Sequence, residues 1–177
     1  TPSAAVRAAR RGPRMMPFSP PPRAEEYLKR VAAFMDECVY PAEPVYQYQM
    51  AEAGNPYFHP PVLESLKAQA RERALWNLFH PHENTAWGSP GLSNLEYAPL
   101  AELMGRSPFL APESMNCNAP DTGNMEVLQL FGTDEQQERW LRPLLDGTIR
   151  STFAMTEPAV ASSDATNVQL CMVREGD

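Results

Sequence analysis

The sequence predicts a mainly α-helical chain that hands over near residue 150 to the opening of a β-domain. Three observations point there. Before residue 150, apolar residues recur at helical spacing in successive stretches. Glycine or proline punctuates most of those stretches, where a helix stops or starts. After residue 150 the period shifts to the alternation of short strands, at Phe153–Thr156 and again at Val168–Val173.

Composition narrows the class further. With 177 residues, 43% of them hydrophobic, the chain is long enough to bury a real core as one domain. No apolar run is long enough for a membrane-spanning helix, which takes about 18 residues. No internal repeat is visible. Cys38, Cys117 and Cys171 are odd in number and lack metal-ligand spacing, which fits buried or structural thiols in a reducing compartment. Arg7, Arg10, Arg11, Arg14 and Arg23 put +5 on an acid-free N-terminus, so against a net −7 the remainder carries −12. An acidic body of that size argues against nucleic acid as the main partner.

In chain order, residues 1–22 form a basic, Pro/Ala/Arg-rich tail. Its composition fits the remnant of an organelle-targeting segment, a linker, or a disordered tail without a role. A first helix follows from Arg23 to Tyr40, with Tyr27, Leu28, Val31, Phe34, Met35, Cys38 and Val39 on one face. Pro41 and Pro44 should end it. Tyr46–Met50 allows a further helical turn before Gly54-Asn55-Pro56. Pro61 opens a second helix to about Ala74, with Val62, Leu63, Leu66, Ala70 and Ala74 inward. An apolar segment, Leu75-Trp76-Asn77-Leu78-Phe79, comes next.

His80-Pro81-His82-Glu83 brings two histidines and a carboxylate together, but His59 is remote and no further ligand has suitable spacing. That motif reads as loop surface, with no metal. Ser89-Pro90-Gly91 reads as a turn and Trp87 as a packing residue. Asn94 would cap a third helix, Leu95–Met104, with Leu95, Leu100, Leu103 and Met104 inward, Pro99 inside and Gly105 at its end. An irregular stretch from Ser107 to Asp121 leads to a short helix, Asn124–Phe131, closed by Gly132. Thr133-Asp134-Glu135-Gln136 is a capping box for the next helix, whose stripe is Trp140, Leu141, Leu144 and Leu145. Pro143 implies a bend in it, because an interior proline costs about 3 kcal/mol in a straight helix.

The Phe153–Thr156 strand should stop at Thr156-Glu157-Pro158, since proline cannot donate to a ladder. Ala159, Val160, Ala161, Ser162 and Ser163 follow. Small side chains allow close backbone approach to a ligand, and the two hydroxyls can donate to phosphate or carbonyl oxygen. The corner thus suits a flat, phosphorylated cofactor; an ordinary strand-to-loop corner is the structural alternative. Val168–Val173 is the second strand, and Arg174-Glu175-Gly176-Asp177 the turn after it.

Phe153-Ala154-Met155-Thr156-Glu157-Pro158, with Ala161-Ser162-Ser163-Asp164-Ala165-Thr166-Asn167, resembles the flavin- and substrate-binding signature of the acyl-CoA dehydrogenase family. Asn118-Ala119-Pro120-Asp121-Thr122-Gly123-Asn124-Met125-Glu126 and Leu75–Phe79 make it most similar to the members numbered ten and eleven. The resemblance covers roughly residues 24–177. It implies a helical N-terminal domain over residues 23–150 and the start of a middle β-barrel domain, truncated, over 151–177.

By the same resemblance the cofactor is FAD. Phe153, Ala154, Met155, Thr156, Glu157, Pro158, Ala159, Val160, Ala161, Ser162 and Ser163 would line it, and Ser163 would also touch acyl-CoA. Ala159–Ser163 is one residue longer than in many relatives, which leaves the substrate contact open between Ser162 and Ser163. Asn118–Asn124 is a candidate pocket lining, with a structural loop as the alternative. In the family a carboxylate removes the α-proton of an acyl-CoA thioester while the β-hydrogen leaves as hydride to the flavin. That carboxylate lies in a later helical domain, so no catalytic residue is expected in this chain, and Glu157 is expected to be structural. The complete enzyme would be a homo-oligomer that serves fatty-acid β-oxidation and passes electrons to an electron-transfer flavoprotein. The basic N-terminus leans mitochondrial, with peroxisomal as the alternative. A non-catalytic helical interaction module without flavin is the competing reading.

Overall fold

A computed structural model describes residues 19–81, 83–84 and 88–176. Most of the expected basic tail, His82 of the His-Pro-His-Glu motif, Trp87 and Asp177 lie outside the described residues. The described chain is mainly helical and forms two compact units, one ending at Asn116 and the other beginning at Cys117.

In the first unit, α1 (Pro22–Phe34) passes through a π-helical turn, Met35–Val39, directly into α2 (Tyr40–Ala53). The expected stop at Pro41 and Pro44 does not occur. The amide of Tyr40 donates to the carbonyl of Met35, five residues back, so the turn is one residue wide of α-helical register. The carbonyl of Glu37, which Pro41 can neither satisfy nor approach, falls within that widened turn. The helix therefore absorbs the proline instead of ending at it. It stops at Gly54, whose φ of 58° is the left-handed conformation glycine adopts freely.

Helix α3 (Pro61–Glu72) buries Leu63, Leu66, Lys67 and Ala70. Its end is a Schellman motif: Leu75 N–H donates to the Ala70 carbonyl at 2.8 Å and Ala74 N–H to the Arg71 carbonyl at 2.9 Å. Ala74 sits at the left-handed position with φ 51° and is exposed, so it leaves the inward stripe expected of it. Leu75, Trp76, Asn77, Leu78, Phe79 and His80 are all buried. His80 is thus core and not loop surface, edge-on to Phe79, with its own carbonyl accepting from the Ser89 hydroxyl at 3.0 Å.

Instead of a simple turn at 89–91, β1 (Glu83–Asn84) pairs antiparallel with β2 (Ser89–Pro90), Glu83 opposite Pro90 and Asn84 opposite Ser89. Helix α4 (Asn94–Met104) is capped by Ser93, not Asn94, in a full capping box with Glu96. It packs on α1 and buries Leu100 and Met104, while Leu95 is exposed and Leu103 half-buried. A short helix, α5 (Ala111–Ser114), packs on α3.

The second unit begins with α6 (Asp121–Phe131), three residues earlier than its apolar pattern suggested. The Thr133 capping box forms as expected, with Gln136 N–H to the Thr133 hydroxyl at 3.2 Å and Thr133 N–H to the Gln136 side chain at 2.9 Å. α7 (Asp134–Gln136), a π-helical turn (Gln137–Leu141) and α8 (Arg142–Leu145) run on as one rod. The π-turn again lies just before a proline, Pro143, and holds the carbonyl four residues ahead of it, that of Arg139. Leu141, Leu144 and Leu145 are buried, but Trp140 is half exposed beside Arg139.

Neither expected strand of the β-domain forms among the described residues. Phe153–Thr156 and Val168–Val173 have no ladder partner. Instead the Glu157 carboxylate accepts from the successive N–H groups of Gln169 and Leu170, at 3.2 and 3.1 Å. Consecutive amides of a paired strand point to opposite sides, so two successive N–H groups on one carboxylate do not form a ladder. Alternation is a local pattern; a strand exists only once a second strand satisfies its backbone.

Candidate functional site

The segment singled out by its residues, Phe153–Ser163, lies in the second unit and is largely exposed. Phe153 and Met155 stand 58% and 43% exposed, an uncommon state for two large apolar side chains so close together. Ala154, Thr156, Pro158, Ala159 and Ala161 are also exposed, and Glu157 and Val160 half-buried. The loop keeps its form through Ser162, the one member of the set that is buried, at 2% exposure. Its hydroxyl accepts from Glu157 N–H at 2.9 Å and donates to the Met155 carbonyl. The Ser162 oxygen is therefore committed inside the loop. Ser163 stays exposed, and no partner of its hydroxyl exists among the described residues.

Asp164 closes the loop. Its carboxylate accepts from the Thr166 hydroxyl at 2.7 Å and the Thr166 N–H at 3.0 Å, and these two bonds hold its carboxyl below the usual aspartate range. Among the described residues, the N–H groups of Met155 and Thr156 and the Thr156 hydroxyl carry no hydrogen bond. The exposed face thus presents unspent donors beside two apolar side chains.

The other end of the segment is anchored to α6. Asp121, buried in the first turn of that helix, accepts from Arg150 Nε at 2.5 Å, Ser151 N–H at 2.7 Å and the Ser151 hydroxyl at 2.6 Å. Asn124 Nδ2 donates to the same Ser151 oxygen at 2.8 Å. Gly123 faces the edge of the Phe153 ring, which a Cβ added there would meet at 3.8 Å, an ordinary van der Waals contact. Asn118–Asn124 therefore contributes anchoring groups at Asp121 and Asn124. No local spacing signals this, since the partners stand 27 to 30 residues apart.

Among the described residues, no three His, Cys, Asp or Glu side chains are placed to hold a metal, and no helix is long and apolar enough to cross a membrane. Cys38, Cys117 and Cys171 are free thiols, the first two buried and the third exposed.

Comparison with known proteins adds independent weight. Residues 21–148 match the family model for the acyl-CoA dehydrogenase N-terminal domain. A Mycobacterium tuberculosis protein described as a probable acyl-CoA dehydrogenase is 52% identical over 162 residues, 91% of this chain and 38% of that protein. Acyl-CoA dehydrogenase family member 11 of Gallus gallus is 51% identical over 158 residues, 88% of this chain and 19% of its own. A solved Mycobacterium abscessus structure, provisionally assigned as an acyl-CoA dehydrogenase, superposes with a TM-score of 0.73 at 52% identity, covering 84% of this chain and 38% of its own. The chain thus spans about two fifths of the mycobacterial relatives and about a fifth of family member 11. With its helical order, its sequence motifs and a family model matching most of its length in agreement, the chain belongs to the acyl-CoA dehydrogenase family.

Proposed function

We propose that the chain is the N-terminal portion of an FAD-dependent acyl-CoA dehydrogenase acting in fatty-acid β-oxidation, with residues 23–150 as its helical domain and 151–177 as the start of its β-domain. The observation that carries this reading is the exposed Phe153–Ser163 loop, shaped by buried Ser162 and left with donors at Met155 and Thr156. Its donor set fits a flat ring that carries acceptors along one edge and needs apolar cover on its face. Thr156 and the adjacent N–H groups would hydrogen-bond that edge, Phe153 and Met155 would flank it, and Ala159 to Ala161 would admit close approach. Bound flavin would supply the redox chemistry, accepting hydride from the acyl-CoA.

Ser163, with its exposed hydroxyl, is the substrate-contacting serine of the pair, because the Ser162 hydroxyl already serves Met155 and Glu157. Glu157 is spoken for by Gln169 and Leu170, so it holds the loop and removes no proton. The base that takes the α-proton is not among these residues, and the chain by itself turns over no substrate. The complete enzyme is a mitochondrial homo-oligomer, with peroxisomal residence as the alternative, and it delivers electrons to an electron-transfer flavoprotein.

The test is the visible absorption spectrum of the purified chain with added FAD, followed anaerobically during titration with a long-chain acyl-CoA. Bound flavin that stays yellow is the expected outcome. Bleaching would show that a base is present and overturn the assignment of a silent chain. A folded chain that binds no flavin would replace the cradle with a non-catalytic helical module.

A further inference from the structure

We infer that Asp121, Ser151 and Asn124 form a latch that positions the Phe153–Ser163 loop for its ligand, an inference that rests on the flavin reading above. Three features of the latch go beyond what holding a helix end requires. First, Asp121 is only 3% exposed, and it spends its carboxyl oxygens on two adjacent residues, Arg150 and Ser151, at the entrance to the loop. Second, the Ser151 hydroxyl is read from two sides, donating to Asp121 and accepting from Asn124 one helical turn further along α6. Two contacts on one oxygen fix both the height and the rotation of the backbone there, where a single bond would leave it free to swing. Third, Gly123 lies between those two anchors and faces the Phe153 ring.

The first turn of α6 therefore sets where residue 151 sits, and the loop that begins two residues later inherits that position. Its far end is pinned separately, by Ser162 to Met155 and Glu157. These residues touch no ligand in this scheme; they act through Phe153, Met155 and Thr156 as positioning residues. Ligand sites lose affinity steeply when such support is loosened by even about 1 Å.

The experiment compares the 177-residue chain with Asp121→Ala, Asp121→Asn and Ser151→Ala. Three readouts are taken: FAD affinity by fluorescence quenching, visible circular dichroism of bound flavin, and amide hydrogen exchange over residues 151–157. Asp121→Ala is expected to weaken FAD binding by roughly tenfold or more. It should also quicken exchange at 151–157 while protection of the 142–145 helix is unchanged. Asp121→Asn keeps an acceptor for Ser151 and should recover most of the affinity. Should Asp121→Ala fail to fold, Ser151→Ala decides, since it retains the amide bond to Asp121 and loses only the hydroxyl; altered dichroism of bound flavin is expected. Unchanged affinity, dichroism and exchange in the folded variants would overturn the latch while leaving the flavin reading intact. A parent chain that binds no FAD would overturn the flavin reading and, with it, the positioning role.

Discussion

Ala74 shows what a single residue contributes. It occupies the left-handed position of a Schellman motif that glycine usually fills, and its neighbour Arg30 donates to the Arg73 and Ala74 carbonyls at 2.6 and 3.0 Å. A non-glycine residue in that conformation costs about 1 kcal/mol or more, part of which glycine forfeits through its looser unfolded chain. Ala74→Gly should therefore stabilise the chain by about 0.5 kcal/mol, read as a raised urea midpoint at unchanged slope. A lowered midpoint would show that Ala74 is favoured in the fold for another reason. The sequence hid this site because its apolar spacing assigned Ala74 to the buried stripe of α3, whereas the helix ends before it. Ser162 and Ser163 were equally opaque: two adjacent hydroxyls are alike on paper, and only the fold of the loop turns one inward. Trp140 misled in the same manner, since helical spacing states which residues share a face but not whether a neighbour covers all of it.

At the scale of elements, local chemistry was legible and long-range chemistry was not. Thr133-x-x-Gln136 marked a helix start because a capping box is complete within four residues. Ser93-x-x-Glu96 carries the same mark, and the side-chain amide of Asn94 only competed with it on paper. Pro41 and Pro143 were read as a stop and a bend, because propensity assumes α-helical register; a π-turn changes the register and removes the conflict. The pairing of Lys67 with Glu113 across α3 and α5 had no local signal at all. Their charged atoms lie 3.1 Å apart and both side chains are only 9% exposed. Removing one partner from such a buried pair typically costs about 3–5 kcal/mol. Lys67→Met should accordingly lower stability by about that amount, while Lys67→Met combined with Glu113→Leu should recover most of it. Equal losses in the single and double variants would mean that the methylene packing of Lys67, and not its charge, joins the two helices.

For the whole molecule, helices were readable because their period is written within each segment, and the strands were not because pairing depends on residues far along the chain. Its acid response follows from carboxylates spread over both units. Glu64 is pushed up by burial, but hydrogen bonds from His59 and Lys67, together with their charges, outweigh this and leave it below its ordinary value of 4.5. Glu96 is held below 4.5 by the Ser93 N–H and then the Ser93 hydroxyl, and Asp164 below 3.8 by Thr166. A carboxyl with a depressed folded value binds protons less readily folded than unfolded. Its stabilisation is therefore complete above the ordinary value and is lost as pH falls toward the folded one. The urea midpoint should be level with respect to these groups above about pH 5 and decline below it. The contribution of Glu64, largely solvent-exposed, should shrink in high salt. Glu96→Gln keeps the reciprocal cap while removing the titration, so with Glu64→Gln it should flatten the acid decline without abolishing the fold at neutral pH. If the double variant loses stability in acid as steeply as the parent, these two carboxylates are not the source of the decline.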